Sequence, residues 1–183
     1  MLGGADTPSS AFTYASPCGF PQSDEWVVEH FKSKVHDGFR AIKVKVGGAD
    51  MERDITRLRL IREAVGSDIE ISVDGNTGWD GPGTLKWIER VQAEGIGLSY
   101  VEDPVWPEDV EAYKLLAKES PLPIIGHDYL PNPEDLRQLL DTGAIDRIRM
   151  RDGIDFAIEA VRLAREYGLK VILCNTFAEH GAQ

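Results

Sequence analysis

The chain has 183 residues, 42% hydrophobic and 28% charged, enough for one core of useful size. A formal net charge of -11 repels phosphate backbones and counts against nucleic-acid binding. No stretch approaches the ~20 consecutive apolar residues of a membrane helix.

The opening "MLGGADTPSS" lacks a positive region followed by an apolar core, so residues 1–10 read as a linker or junction and not as a signal peptide. "AFTYAS" (11–16) reads as a strand. "DEWVVEHFKSKVHDG" (24–38) reads as a helix with Trp26, Val27, His30, Phe31 and Val35 on one face. "AIKVKVG" (41–47) is a strand. Residues 50–66 form a helix with Asp50 at its cap and Ile55, Leu58 and Ile61 on a stripe. "EISVDGN" (70–76) is a strand, and 81–95 a helix with Pro82 in its first turn and Gly95 past its end. "LSYVEDP" (98–104), "PIIGHD" (123–128), "IDRIRM" (145–150) and "KVILCN" (170–175) complete the strands. Helices over 107–120, 132–143 (capped by Asn132) and 154–168 lie between them.

Seven strands and six helices in strict alternation predict a parallel sheet with helical crossovers. A doubly wound sheet and a (β/α)8 barrel are both available. No glycine-rich phosphate loop follows any strand, which disfavours a nucleotide-binding open sheet. Polar residues cluster at the C-terminal ends of successive strands, where barrel enzymes build their sites, so the predicted fold is an α/β TIM-type barrel. Residues 11–183 are its expected extent. Such a barrel typically takes ~250 residues, so the eighth unit is expected to be missing from this chain.

The second strand carries Lys43 and Lys45, two apart and hence on one face. The third ends in Asp74 and Asn76, the fourth in Glu102 and Asp103, the fifth in His127 and Asp128. Each step from Lys45 to Asp74, Glu102 and Asp128 is one βα unit, so these groups should converge on one mouth. Three acids from adjacent strands repel one another unless a positive group lies between them, and an all-oxygen set suits Mg2+. Paired lysines beside that cation would lower each other's pKa, and a lysine near neutrality is a general base. For any one of these acids a helix cap is the commoner role; their joint spacing argues for a site. Cys18 and Cys174 have no CxxC spacing, which points to reduced thiols and a cytoplasmic protein.

The motifs "IKVKVG", "VDGN", "VEDP" and "PIIGHDYLPNPEDL" resemble the enolase superfamily, most closely the barrel domain of its mandelate racemase/muconate lactonizing enzyme group. The resemblance implies that a divalent metal holds a substrate carboxylate while a base removes the α-proton through an enediolate. It implies Asp74, Glu102 and Asp128 as metal ligands, with His127 the rival of Asp128. It implies Lys45 as the base, Lys43 as its carboxylate-contacting neighbour, and Asn76, Asn175 and Glu179 as substrate-binding residues. The sixth strand offers Arg147 and Arg149, with Arg151 just beyond it, where the cycloisomerase branch has a lysine. Asn175 stands where the racemase branch has a histidine. A racemase needs a base on each face, so the expected activity is dehydration of a sugar acid. A muconate-type cycloisomerase or epimerase is the alternative, and a non-catalytic metal-binding remnant a further one. Family members carry a separate capping domain before the barrel, expected to be absent here. A homo-oligomer without nucleic-acid or membrane partners is expected.

Overall fold

The computed structural model describes residues 12–16, 22–48, 50–126, 130, 132–150 and 154–173. In chain order they form α1 (Asp24–His36), β1 (Ala41–Lys45), α2 (Met51–Val65), β2 (Glu70–Asp74), α3 (Gly81–Ala93) and β3 (Leu98–Glu102). Then come α4 (Val110–Glu119), β4 (Ile124–Gly126), α5 (Pro133–Asp141), β5 (Ile145–Met150), α6 (Ile154–Tyr167) and β6 (Lys170–Leu173). No helix among these residues is long and apolar enough to cross a membrane.

The helices start where short polar side chains accept orphan N–H groups. Asp50 accepts from the Arg53 N–H at 2.9 Å, Asp80 from Gly83 at 2.7 Å, and Asn132 from Glu134 and Asp135 at 3.0 Å each. One boundary differs from the sequence reading. α4 begins at Val110 and not at Pro107, because Asp109 is its cap and residues 106–110 close a turn first.

All six strands pair in parallel, in the order β1-β2-β3-β4-β5-β6. A doubly wound sheet reverses its order at a switch point; consecutive order through successive crossovers makes a barrel wall. The fold is thus an α/β, incomplete TIM-type barrel. Of the strand expected over 11–16, the described residues 12–16 make one parallel bridge, Ala15 to Ile42. The Ala15 N–H donates to Ala41 O at 3.0 Å and the Lys43 N–H to Ala15 O at 2.9 Å.

Alternation along the strands separates two faces. Ile42, Val44, Ile71, Val73, Val101, Ile124 and Ile148 join Leu58, Ile61, Trp87 and Leu116 in one apolar core beneath the helices. The intervening residues Lys43, Ser72, Asp74, Tyr100, Glu102 and Arg149 are buried too, but polar, and face the barrel interior.

Candidate active site

Register brings the interior polar groups level. Lys45 pairs with Asp74 across β1 and β2, and Asp74 with Glu102 across β2 and β3. The Lys43 ammonium donates to Glu102 Oε1 and lies 3.3 Å from Asp74 Oδ2. The Lys45 ammonium donates to Asp74 Oδ2 and, at 3.0 Å, to Asn76 Oδ1. Asn76 in turn donates to Asp74 Oδ1 through its backbone N–H at 3.0 Å and its side-chain amide. Both oxygens of Asp74 are thereby engaged.

The loops that follow the strands are backbone-locked. The N–H of Gly75 donates to Glu102 O at 2.8 Å and that of Thr77 to Asp103 O at 2.7 Å. Asn76, Thr77 and Asp103 take left-handed conformations with φ of 48°, 59° and 44°. For the β-branched Thr77 this is a strained geometry, of the kind concentrated at functional sites. Gly75 permits the close approach: a Cβ there would lie 2.8 Å from the Trp79 ring and 3.1 Å from Pro104 Cα.

Three groups with no role in the sequence reading, Asp103, Arg149 and Tyr14, lie at the site. Asp103 would point away from Glu102 if the strand continued, but its left-handed backbone breaks the alternation. Single carboxylate oxygens of Asp74, Glu102 and Asp103, all buried, lie within 4.8 Å of one another. Arg149 reaches over from β5, with Nε 2.9 Å from Glu102 Oε1 and Nη1 3.9 Å from Asp103 Oδ2. Tyr14, ahead of β1, places its ring 5.3 Å from the Lys43 ammonium. Asp128, His127, Asn175, Glu179 and Arg151 lie outside the described residues, as do Cys18 and Cys174.

The electrostatics follow from burial and pairing. Burial pushes the Glu102 carboxyl up to about 7, with Asp74 adding to the rise and Lys43 and Arg149 opposing it. Asp103 is raised well above the carboxylate range by burial and by its acidic neighbours. Asp74 is also buried, yet Lys43 and Lys45 outweigh that penalty and hold it below the usual range. The expectation of a lowered Lys43 is reversed here. Burial does push its ammonium down, but Glu102 and Asp74 overcome this and leave it above the ordinary lysine value.

These residues fit a hard divalent cation. The donors are all carboxylate oxygens, gathered within 4.8 Å. Glu102 Oε2 is buried with no hydrogen-bond partner among the described residues, so its lone pairs are left for a ligand such as a cation.

Residues 26–181 match the Enolase C-terminal domain-like family. The chain is 28% identical over 140 residues to the L-Ala-D/L-Glu epimerase of Clostridium acetobutylicum, covering 74% of the chain and 39% of that enzyme. The structure is similar to that of a substrate-liganded L-Ala-D/L-Glu epimerase from Bacillus subtilis, with a TM-score of 0.79 and 26% identity over 87% of this chain and 45% of that one. It is equally similar to an L-talarate dehydratase from Polaromonas sp. complexed with Mg and L-glucarate, with a TM-score of 0.80 and 25% identity over 91% of this chain and 48% of that one. Other relatives are a racemase, an acid-sugar dehydratase and a cycloisomerase. The chain spans less than half the length of the two epimerases and the talarate dehydratase.

Proposed function

The chain belongs to the Enolase C-terminal domain-like family, within the mandelate racemase/muconate lactonizing group, and from that premise we propose that its site removes the proton α to the carboxylate of a small organic acid. The observation that supports this is the convergence of Lys43 and Lys45 on Asp74 and Glu102 from three adjacent strands. Asp74 and Glu102 would hold Mg2+, with Asp128 as the third ligand and Asp103 within reach. When bound, the metal supplies a Lewis acid for the substrate carboxylate.

The two lysines divide the remaining work by exposure. Lys45 is 21% exposed and reaches the mouth; Lys43 is 2% exposed and sealed against Glu102. Lys45 is therefore the base, and the proton moves from the substrate α-carbon to its Nζ. Lys43, held charged by its carboxylates, is a fixed positive group beside the developing negative charge. Asn76 orients Lys45 by accepting from it.

Among the finer activities we favour dehydration of an acid sugar. In that reaction the Cα–H bond breaks, a Cα–Cβ double bond forms, and the β-hydroxyl departs as water. Lys45, protonated by the first step, can return its proton to the departing hydroxyl. One base then suffices. The described part of β5 presents arginines, and a guanidinium does not serve as a base. Epimerisation is the second reading, favoured by the epimerases among the relatives.

The test is exchange of the substrate α-proton in deuterated solvent, with acid sugars and dipeptides as candidate substrates and Mg2+ present. Lys45→Ala should abolish exchange, and acid sugars should also lose water. Undiminished exchange in Lys45→Ala would remove Lys45 as the base. Exchange of dipeptides alone, with inversion, would replace dehydration by epimerisation.

A further inference from the structure

We propose that Arg149 is a built-in counter-cation that competes with the divalent metal for Glu102, so that an uncharged residue at position 149 tightens metal binding. The inference rests on the metal reading above and concerns how strongly this chain meets that reading.

Three observations carry it. First, Arg149 is 4% exposed, so its charge is confined to the barrel interior and is little screened by water. Second, its Nε lies 2.9 Å from Glu102 Oε1, the same oxygen that Lys43 takes. One Glu102 oxygen is thus shared by two cations, while Oε2 has no partner among the described residues. Third, the acids already have cations beside them: among the described residues Lys43 and Lys45 contact Asp74, Lys43 and Arg149 contact Glu102, and Arg149 lies 3.9 Å from Asp103.

Acids already paired with cations offer less net attraction to a further +2 charge. An incoming cation would meet the guanidinium of Arg149 across Glu102, in a region where like charges repel far more strongly than in water. Removing the guanidinium takes one positive charge out of the interior and frees Glu102 Oε1 of one competitor. Keeping the positive charge while changing its shape should change little.

Calorimetric titration of MgCl2 into the metal-free parent, Arg149→Met, Arg149→Lys and Glu102→Gln tests this. Arg149→Met should bind about tenfold more tightly than the parent, or better, because a divalent ion gains twice from each unit of positive charge removed. Arg149→Lys should stay near the parent, and Glu102→Gln should lose most of the affinity. If the parent binds and Arg149→Met is unchanged or weaker, this inference falls alone. If neither the parent nor Arg149→Met binds, the metal reading falls with it. Should Arg149→Met not fold, Arg149→Gln takes its place, and the rise of Tm on adding MgCl2 must be larger in the variant than in the parent.

Discussion

Ile42, Val44, Ile71, Val73 and Val101 leave their strands toward the helices, while Lys43, Lys45, Ser72, Asp74, Tyr100 and Glu102 leave the same strands toward the barrel interior. The chain buries both sets, Lys45 only in part, but by different physics. An apolar residue on the helix side contributes through the area and contacts it removes from water, about 1.5–3 kcal/mol for a fully buried side chain, and does so largely independently of any one neighbour. A charged residue on the interior side is tolerated only with its partners, because an uncompensated buried charge costs several kcal/mol. The helix side should therefore respond to lost volume, and the interior side to lost pairing.

The largest effect expected is on the interior. Lys43→Met removes the ammonium that Glu102 and Asp74 share, and should cost about 3–5 kcal/mol in denaturant unfolding of the metal-free protein. Adding Glu102→Gln to Lys43→Met should recover a substantial part of that loss, since the second change removes a buried charge that has lost one of its two cations. If the double variant is as unstable as the sum of the singles, pairing does not govern this face. On the helix side Ile71→Val should cost about 0.5–1.5 kcal/mol, the ordinary value for one deleted methyl group. Truncating a neighbour such as Val101→Ala in addition should deepen the loss and never relieve it.

The pH dependence of stability separates the interior acids from one another. Glu102, raised by burial to about 7, binds its proton more tightly folded than unfolded. Its contribution is present below the ordinary glutamate value, ~4.3, and is lost as pH rises through about 7. Asp74 is lowered, so its contribution is present above the ordinary aspartate value, ~3.9, and is lost on further acidification. Unfolding of the metal-free protein followed against pH should show a falling arm toward neutrality that Glu102→Gln flattens. An arm unchanged by that substitution would assign it to another group.

The same contrast explains which features are legible in the sequence. The helix side is legible because apolar alternation is a local signal: each strand announces itself within five or six residues, and Gly66, Gly95 and Gly143 punctuate the ends. The lysine pair and the acids Asp74 and Glu102 are legible because a period of two and a regular βα step fix their face and level. Arg149 is visible in the sequence, but its partner is not, because β4 separates β5 from β3 and only the curvature of the wall brings it to Glu102. Alternation alone puts Asp103 on the opposite face from Glu102, for a related reason. Its left-handed backbone, with φ of 44°, is set by a loop held to β4 through its N–H and to Thr77 through its carbonyl, and nothing in "VEDP" alone specifies that.

The smallest effect should come from charges in the helical layer, where water is near. Asp24 opens α1 and is partly buried against α2, accepting from Arg57 Nε at 2.7 Å and from Arg53. Slight burial raises its pKa, but the two guanidiniums outweigh this and lower it. Its contribution is therefore present above the ordinary aspartate value, ~3.9, and lost as pH falls through the folded value. Arg53 is well exposed, so solvent and salt screen much of the attraction. Asp24→Asn should cost about 0.2–1 kcal/mol at neutral pH in low salt, shrinking further at high ionic strength. Arg57 would keep its bond to Gln22 O at 2.7 Å, so no charge is left buried without company. A loss as large as that of Lys43→Met, or one indifferent to salt, would mean that the outer ion pairs depend on their partners as strongly as the interior ones do. Distance from water would then not set the difference between the two sides of the sheet.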